Sequence, residues 1–210
     1  MNLLRLDEFN HAIVRELAPS FHNLPSTEHK DGKYRLRRYS VIELMLEPKA
    51  IKTLPINSFM QTDKYNDFQG NVERKFENIE EDVLYGDSMK ELVYSFRMMA
   101  SLPTNTQVDI HQMRVITTSE STEISPEGVH RDGYDVISMI GITRHNILGG
   151  NLLVYDNQDS DHFVSLPLDG GRMVTINDKK LWHNGSSIVP LDKNNKGYMD
   201  VFVFTANYNL

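Results

Sequence analysis

Pro126-Glu127-Gly128-Val129-His130-Arg131-Asp132-Gly133-Tyr134-Asp135 runs straight into the apolar segment 136–142. A histidine and an aspartate two residues apart therefore stand where a loop becomes a strand. Alternate side chains of a strand share a face, so His130 and Asp132 point the same way. One further histidine on a neighbouring strand would complete three ligands on one side of a metal ion.

Downstream of this stretch the chain reads as a β-protein. Short β-rich runs cover 107–117, 135–143, 151–156, 162–167, 172–177, 181–189 and 198–206. Turn material separates them: Gly149-Gly150, 157–161, Asp169-Gly170-Gly171 and 192–197. Seven runs with no helix between them predict an antiparallel sandwich or jelly roll.

Upstream the pattern is mixed. Leu6, Phe9, Ile13 and Leu17, spaced three or four apart, predict a helix ended by Pro19. Residues 34–45 read as a strand whose Arg35, Arg37 and Arg38 form the solvated face of an exposed edge. Residues 47–86 are irregular, yet Phe59, Tyr65, Phe68, Phe76 and Tyr85 require burial. Ser88 and Glu91 have the spacing of a capping box, with Met89, Leu92, Val93, Phe96 and Met99 as the buried stripe behind it. The expectation is one domain over 1–210, mainly β with flanking helices. Residues 1–106 supply helical and irregular support, and 107–206 a jelly-roll core that carries the metal site.

Composition narrows the function. A net charge of −7 argues against nucleic acid or anionic lipid as a partner. The absence of cysteine excludes disulfides, thiolate zinc sites and cysteine nucleophiles, and suits a reducing compartment. No window approaches the roughly 18 consecutive apolar residues of a spanning helix, and 1–5 does not open a secretory signal. A soluble, cytoplasmic protein acting on a small molecule is the expectation. Its oligomeric state is left open.

His-x-acid is a weak motif alone. With 8 His and 29 acidic residues in 210 positions, about one such triplet arises by accident. His29-Lys30-Asp31, in a polar loop, is read as that accident. His130 and Asp132 differ from it because they open an apolar strand between Gly128 and Gly133. For the third ligand the candidates are His145, His162 and His183. His145 lies in a polar turn and His162 follows three polar residues. His183 follows Leu181-Trp182 and leads to Ser187-Ile188-Val189, so it is preferred. Two histidines and one carboxylate with the opposite positions open is the ligand set of non-haem Fe(II) oxygenases.

Longer motifs then carry a resemblance. Pro126-Glu127-Gly128-Val129-His130-Arg131-Asp132-Gly133 resembles the signature of the Fe(II)/2-oxoglutarate dioxygenases that hydroxylate free amino acids in bacteria. Arg144-His145-Asn146-Ile147-Leu148-Gly149-Gly150 is similar to that family's Arg-x-Asn-x-x-Gly-Gly segment. Asp178 with Leu181-Trp182-His183 resembles its distal-histidine strand, and Gly197-Tyr198-Met199-Asp200-Val201 its final strand. Gln61, Tyr65-Asn66, Gly70 and Arg74 match its upstream pattern, so the resemblance spans 35–206.

The resemblance implies a cupin-like fold, a double-stranded β-helix with the metal at one mouth, and Fe(II) held by His130, Asp132 and His183 as the catalytic centre, with 2-oxoglutarate on two open positions and O2 on the last. Ferryl hydrogen abstraction would then hydroxylate a free L-amino acid or similar small metabolite. Asp135, Asp178 and Gln112 are candidates to orient the histidine rings. Glu127 would meet the substrate ammonium, Arg131 or Arg74 its carboxylate, and Tyr134 or Trp182 its side chain.

One departure bears on the cosubstrate. Sequences of the family it resembles usually carry Arg-Asp where this chain has Met199-Asp200, and a thioether cannot supply a guanidinium's pairing with a carboxylate. Arg114 and then Arg144 are the replacement candidates for the cosubstrate's distal carboxylate. The competing readings are a metal-binding homologue with impaired or different cosubstrate use, a jelly-roll binding protein with incidental histidines, and a zinc hydrolase using Glu127 as base.

Overall fold

The computed structural model describes residues 3–65 and 68–208, so Asn66 of the upstream pattern lies outside the described residues. In chain order, β1 (Leu4–Glu8) is followed by α1 (His11–Leu17) and a short 3-10 turn. Then come β2 (Arg35–Leu44), β3 (Ile51–Leu54), β4 (Ser58–Phe59) and β5 (Arg74–Lys75). Two helices, α2 (Glu81–Leu84) and α3 (Asp87–Ala100), precede β6 (Gln107–Thr117). The remaining strands are β7 (Val136–His145), β8 (Ile147–Gly149), β9 (Asn151–Tyr155), β10 (Val164–Pro167), β11 (Arg172–Ile176), β12 (Trp182–Gly185), β13 (Ile188–Pro190) and β14 (Gly197–Ala206).

Seven strands form one antiparallel sheet in the order β1-β11-β7-β14-β6-β2-β3, and the smaller sheets are β10-β9-β12, β13-β8 and β4-β5. This is the jelly roll expected from the seven runs. The run 181–189 divides into β12 and β13, and β8 occupies ground that reads as turn. The large sheet takes β1, β2 and β3 from the part expected to be helical and irregular support.

Both faces of the large sheet are covered. On β14, Phe202 and Phe204 join α1, α3 and Ile110 of β6 in one core. The alternate residues Met199 and Val201 join Met113 and Val115 of β6, with Leu152 and Val154 of β9, in another. A strand buried on both faces keeps no polar alternation, which is why 136–142 and 201–204 read as continuous apolar runs. The second core lies between the large and small sheets, and its residues line one cavity together with His130, Asp132 and His183.

Two expectations upstream are corrected. The first half of the expected helix is β1, paired with β11 from Leu4↔Ile176 to Glu8↔Arg172. Pairing with β11 satisfies a row of backbone groups that a short helix would leave exposed. The helix begins only at His11, where the Asn10 side chain accepts from the Ala12 amide. The capping box is absent as well. Gly86 is the N-cap of α3, Ser88 Oγ donates to Glu16, and Glu91 pairs with Lys49. Strand β2 forms as expected but lies between β6 and β3 rather than at an edge.

Candidate metal centre

His130 and His183 face each other across a bridge between the loop before β7 and β12. Each amide donates to the other's carbonyl, at 3.0 and 2.9 Å, and the rings lie 4.4 Å apart. Asp132, two residues on, faces the same way. Its Oδ2 is 3.3 Å from His183 Nε2 and its Oδ1 is 3.9 Å from His130 Nε2. One ligand atom from each of the three residues lies within 4.8 Å of the others. Of the three downstream histidines, His183 is the one brought to the pair. His145 stacks on Tyr198 and His162 packs edge-on to Tyr155.

The local backbone is built for this convergence. Gly128 has φ +74°, and its carbonyl accepts from His130 Nδ1 at 2.8 Å. That hydrogen bond orients the ring with Nε2 toward Asp132. Gly133 has φ +90°, and a Cβ there would come within 2.8 Å of the Tyr65 ring. The buried Asp178 carboxylate accepts the amides of Asp132, Gly133 and Tyr134 and lies 3.7 Å from His183 Nδ1. Gln61 Nε2 donates to Asp132 Oδ1 at 2.8 Å, and Arg74 Nη2 donates to Gln61 Oε1 at 3.1 Å. Asp178 was among the expected orienting residues. Asp135 and Gln112 are not in that role, because Asp135 holds Lys179 and the Tyr208 amide and Gln112 bonds Ser20.

The electrostatics suit a divalent cation. Burial works to raise Asp132, but its hydrogen bond from His183 and the charges of His130 and His183 outweigh it. The carboxyl is held well below the usual range. Burial works to lower His183, and the Asp132 contact outweighs it, so its pKa is raised. The donor set of two imidazole nitrogens and one ionised carboxylate fits iron(II), and three ligands leave its remaining positions to small molecules.

These three side chains open onto a cavity of about 870 Å³, including its mouth. One part is apolar, with Val115, Ile137, Met139, Leu168, Met199 and Val201. Another part holds Arg35, Arg37, Arg74 and Glu127. Glu127 Oε1 stands 3.4 Å from His130 Nε2, and Oε2 is buried without a hydrogen bond.

Several expected site residues lie elsewhere: alternation accounts for Arg131, Trp182 and Arg114, whereas Tyr134 shares the parity of His130 and Asp132 and departs after the turn at Gly133, φ +90°. Neighbours of an inward residue on a strand point outward. Arg131, between His130 and Asp132, stacks on Trp182 and donates to the Lys179 carbonyl. Trp182, beside His183, turns outward with it. Tyr134 reaches Asp109 and packs near Tyr39. Arg114 lies between the inward Met113 and Val115, and its guanidinium grips the fully buried Asp200 at 2.6 and 2.8 Å. None of these four lines the cavity. Arg144 is opposite Met199 in the β7–β14 register, but its nitrogens go to the Gly149 and Gly150 carbonyls and to Asp169. It too lies off the cavity wall.

The residues missed are Arg35 and Arg37, read as a solvated face and found buried in the cavity. Asp31, dismissed with His29, is the ion-pair partner of Arg35 at 2.8 Å. Alternation was the available signal, since Arg35, Arg37, Tyr39 and Val41 share one face of β2.

The family model for the 2OG-Fe dioxygenases matches residues 18–205. The chain belongs to that family. Among the relatives of this dioxygenase is L-isoleucine-4-hydroxylase of Bacillus thuringiensis, 23% identical over 96% of this chain and 86% of that protein. A bsmA homologue from Methylobium petroleophilum PM1 has a similar structure, with a TM-score of 0.80 and 25% identity over 94% of this chain and 82% of its own. The IDO structure from Bacillus thuringiensis shares the fold with a TM-score of 0.75 and 18% identity, over 97% and 85% of the two chains. As a 2OG-Fe dioxygenase the protein works with Fe(II), 2-oxoglutarate and O2. No helix among the described residues is long and apolar enough to cross a membrane.

Proposed function

We propose that this dioxygenase hydroxylates a free aliphatic L-amino acid or a similar small metabolite, in the cytoplasm. The observation that carries the reading is the make-up of the cavity beside the metal ligands. A buried carboxylate, three guanidinium groups and an apolar wall open onto the same metal site. An amino acid offers the matching ammonium, carboxylate and hydrocarbon chain. The relationship to L-isoleucine-4-hydroxylase supports the same substrate class.

His130, Asp132 and His183 would hold the iron, with ring and carboxylate orientations set by Gly128, Asp178 and Gln61. Bound iron supplies the activation of O2 against 2-oxoglutarate and the oxidising power for a C–H bond. The protein's part is positional. Glu127 accepts hydrogen bonds from the substrate ammonium: its Oε1 stands beside His130, and its Oε2 is buried without a hydrogen bond. The apolar wall keeps water from the reacting carbon and holds the aliphatic chain against the open side of the metal.

The test is anaerobic loading with Fe(II) and 2-oxoglutarate, then air and a panel of L-amino acids, with succinate and hydroxylated product both measured. Succinate is expected to rise with one aliphatic amino acid in step with its hydroxylated product. Glu127→Gln is expected to raise that substrate's KM roughly 10–100-fold, the worth of one hydrogen bond to a charged group. Succinate formation indifferent to every amino acid would defeat the reading.

A further inference from the structure

Three arginines line the cavity, and their partners are unequal. Arg35 pairs with Asp31 at 2.8 Å and lies 3.8 Å from Glu127. Arg37 and Arg74 have no carboxylate within ion-pairing distance among the described residues. Arg37 stacks on Phe76 and donates to the Met113 thioether at 3.2 Å, a weak acceptor. Arg74 stacks on Phe59 and donates to Gln61, and its Nε is buried without a partner. Both residues are under a tenth exposed. Buried charge without a counter-ion is costly and is normally paired. The strain shows in Arg37, whose pKa burial and then the neighbouring Arg35 pull down to about 9.

Their position relates them to Met199. In the large sheet Arg35 is opposite Val115, and Val115 is opposite Met199. One residue pair along, Arg37 is opposite Met113, and Met113 is opposite Val201. All line the cavity, and Arg37 lies against Met113, the residue between it and β14. The place where a cation is missing on β14 is thus two strands from a place on β2 where cations are in surplus. Charge agrees with this. Three guanidiniums against Asp31 and Glu127 leave one positive charge, and a divalent ion on Asp132 leaves another. A dicarboxylate such as 2-oxoglutarate would neutralise both.

We infer that Arg37 and Arg74 form the carboxylate clamp of this cavity, displaced from the last strand to β2 and β5. The inference rests on the reading of the site as an Fe(II)/2-oxoglutarate centre. The carboxylate has two sources, the distal end of 2-oxoglutarate or the substrate's own carboxylate, and charge balance favours the first.

Calorimetric titration of the anaerobic Fe(II)-loaded protein separates them. One arm adds 2-oxoglutarate alone, and the other adds L-isoleucine, an aliphatic amino acid, to the 2-oxoglutarate complex. Arg37→Met and Arg74→Gln are each expected to weaken one arm roughly 10–100-fold, with Arg37→Lys recovering part of the loss. Metal-free Arg37→Met is expected to melt at or above the wild-type temperature, because it removes an uncompensated charge. Wild type that binds 2-oxoglutarate and no amino acid removes the amino-acid reading and leaves the clamp to be judged on the first arm. The clamp is overturned if both arms are unchanged, if wild type binds neither ligand, or if only Arg144→Gln weakens 2-oxoglutarate. It is also overturned if Arg37→Met lowers the melting temperature and Arg37→Lys recovers no affinity.

Discussion

Asp132 is the residue on which both histidines converge, and its charge makes a prediction about protons. His183 has its pKa raised by Asp132 against the effect of burial. A raised value in the folded state means that folded protein holds the proton more tightly than unfolded chain. The ion pair therefore stabilises metal-free protein fully below about pH 6.5 and is lost as pH rises through the folded value. Metal needs the neutral ring, so it must displace that proton, and its affinity rises with pH over the same window. Opposite slopes are expected: metal-free stability falls and Mn(II) affinity climbs as pH increases above about 6.5. Urea melts and metal titrations of wild type against His183→Gln measure both, and parallel slopes would refute the coupling. At this scale His130 and Asp132 were legible because their relation is local. Gln61 and Asp178, 71 and 46 residues away in sequence, became visible as orienting groups only when the fold joined them to Asp132.

Strands sort their residues by parity, and parity explains most of what sequence reading misplaced. Once His130, Asp132 and His183 point inward, Arg131 and Trp182 must point outward. Once Met113 and Val115 fill the inner core, Arg114 belongs to the helix-covered face. Arg114 there joins β6 to β14 through Asp200, which is fully buried. Removing one member of a buried pair leaves the other unpaired, at a cost of about 3–5 kcal/mol. Arg114→Met is expected to lose that much stability in urea, and Arg114→Met with Asp200→Leu to regain much of it. Affinity for 2-oxoglutarate in the folded variant should stay unchanged, and a tenfold loss would return Arg114 to the cosubstrate site. The strands from 107 onward were readable because turn residues punctuate them. Strand β1 was not, because its pairing partner β11 lies far along the chain and its Leu6, Phe9, Ile13 spacing mimics a helix.

The molecule as a whole is a sheet with a core on each face and a charged cavity at one end of the inner core. That arrangement gathers polar groups that the fold itself leaves incompletely partnered. His183 Nδ1 and Glu127 Oε2 are buried without hydrogen bonds, and the two histidine rings crowd one carboxylate. The composition hid this, since a net charge of −7 gives no sign of three arginines gathered inside. Only tertiary structure could bring Arg74 of β5 to Arg35 and Arg37 of β2. Because His130 and Asp132 precede β7 and His183 lies on β12, an ion held by all three would tie together segments 51 to 53 residues apart in the chain and should stabilise the whole fold. At 100 times its Kd an ion that binds only folded protein adds about 2.7 kcal/mol. For a chain of this size that corresponds to a rise in Tm of roughly 5–11 °C. Calorimetry with Mn(II), and with Fe(II) under nitrogen, is expected to show the rise in wild type. His130→Ala and His183→Ala should each abolish it while still unfolding cooperatively. A shift that survives in His183→Ala would mean that the ion binds elsewhere.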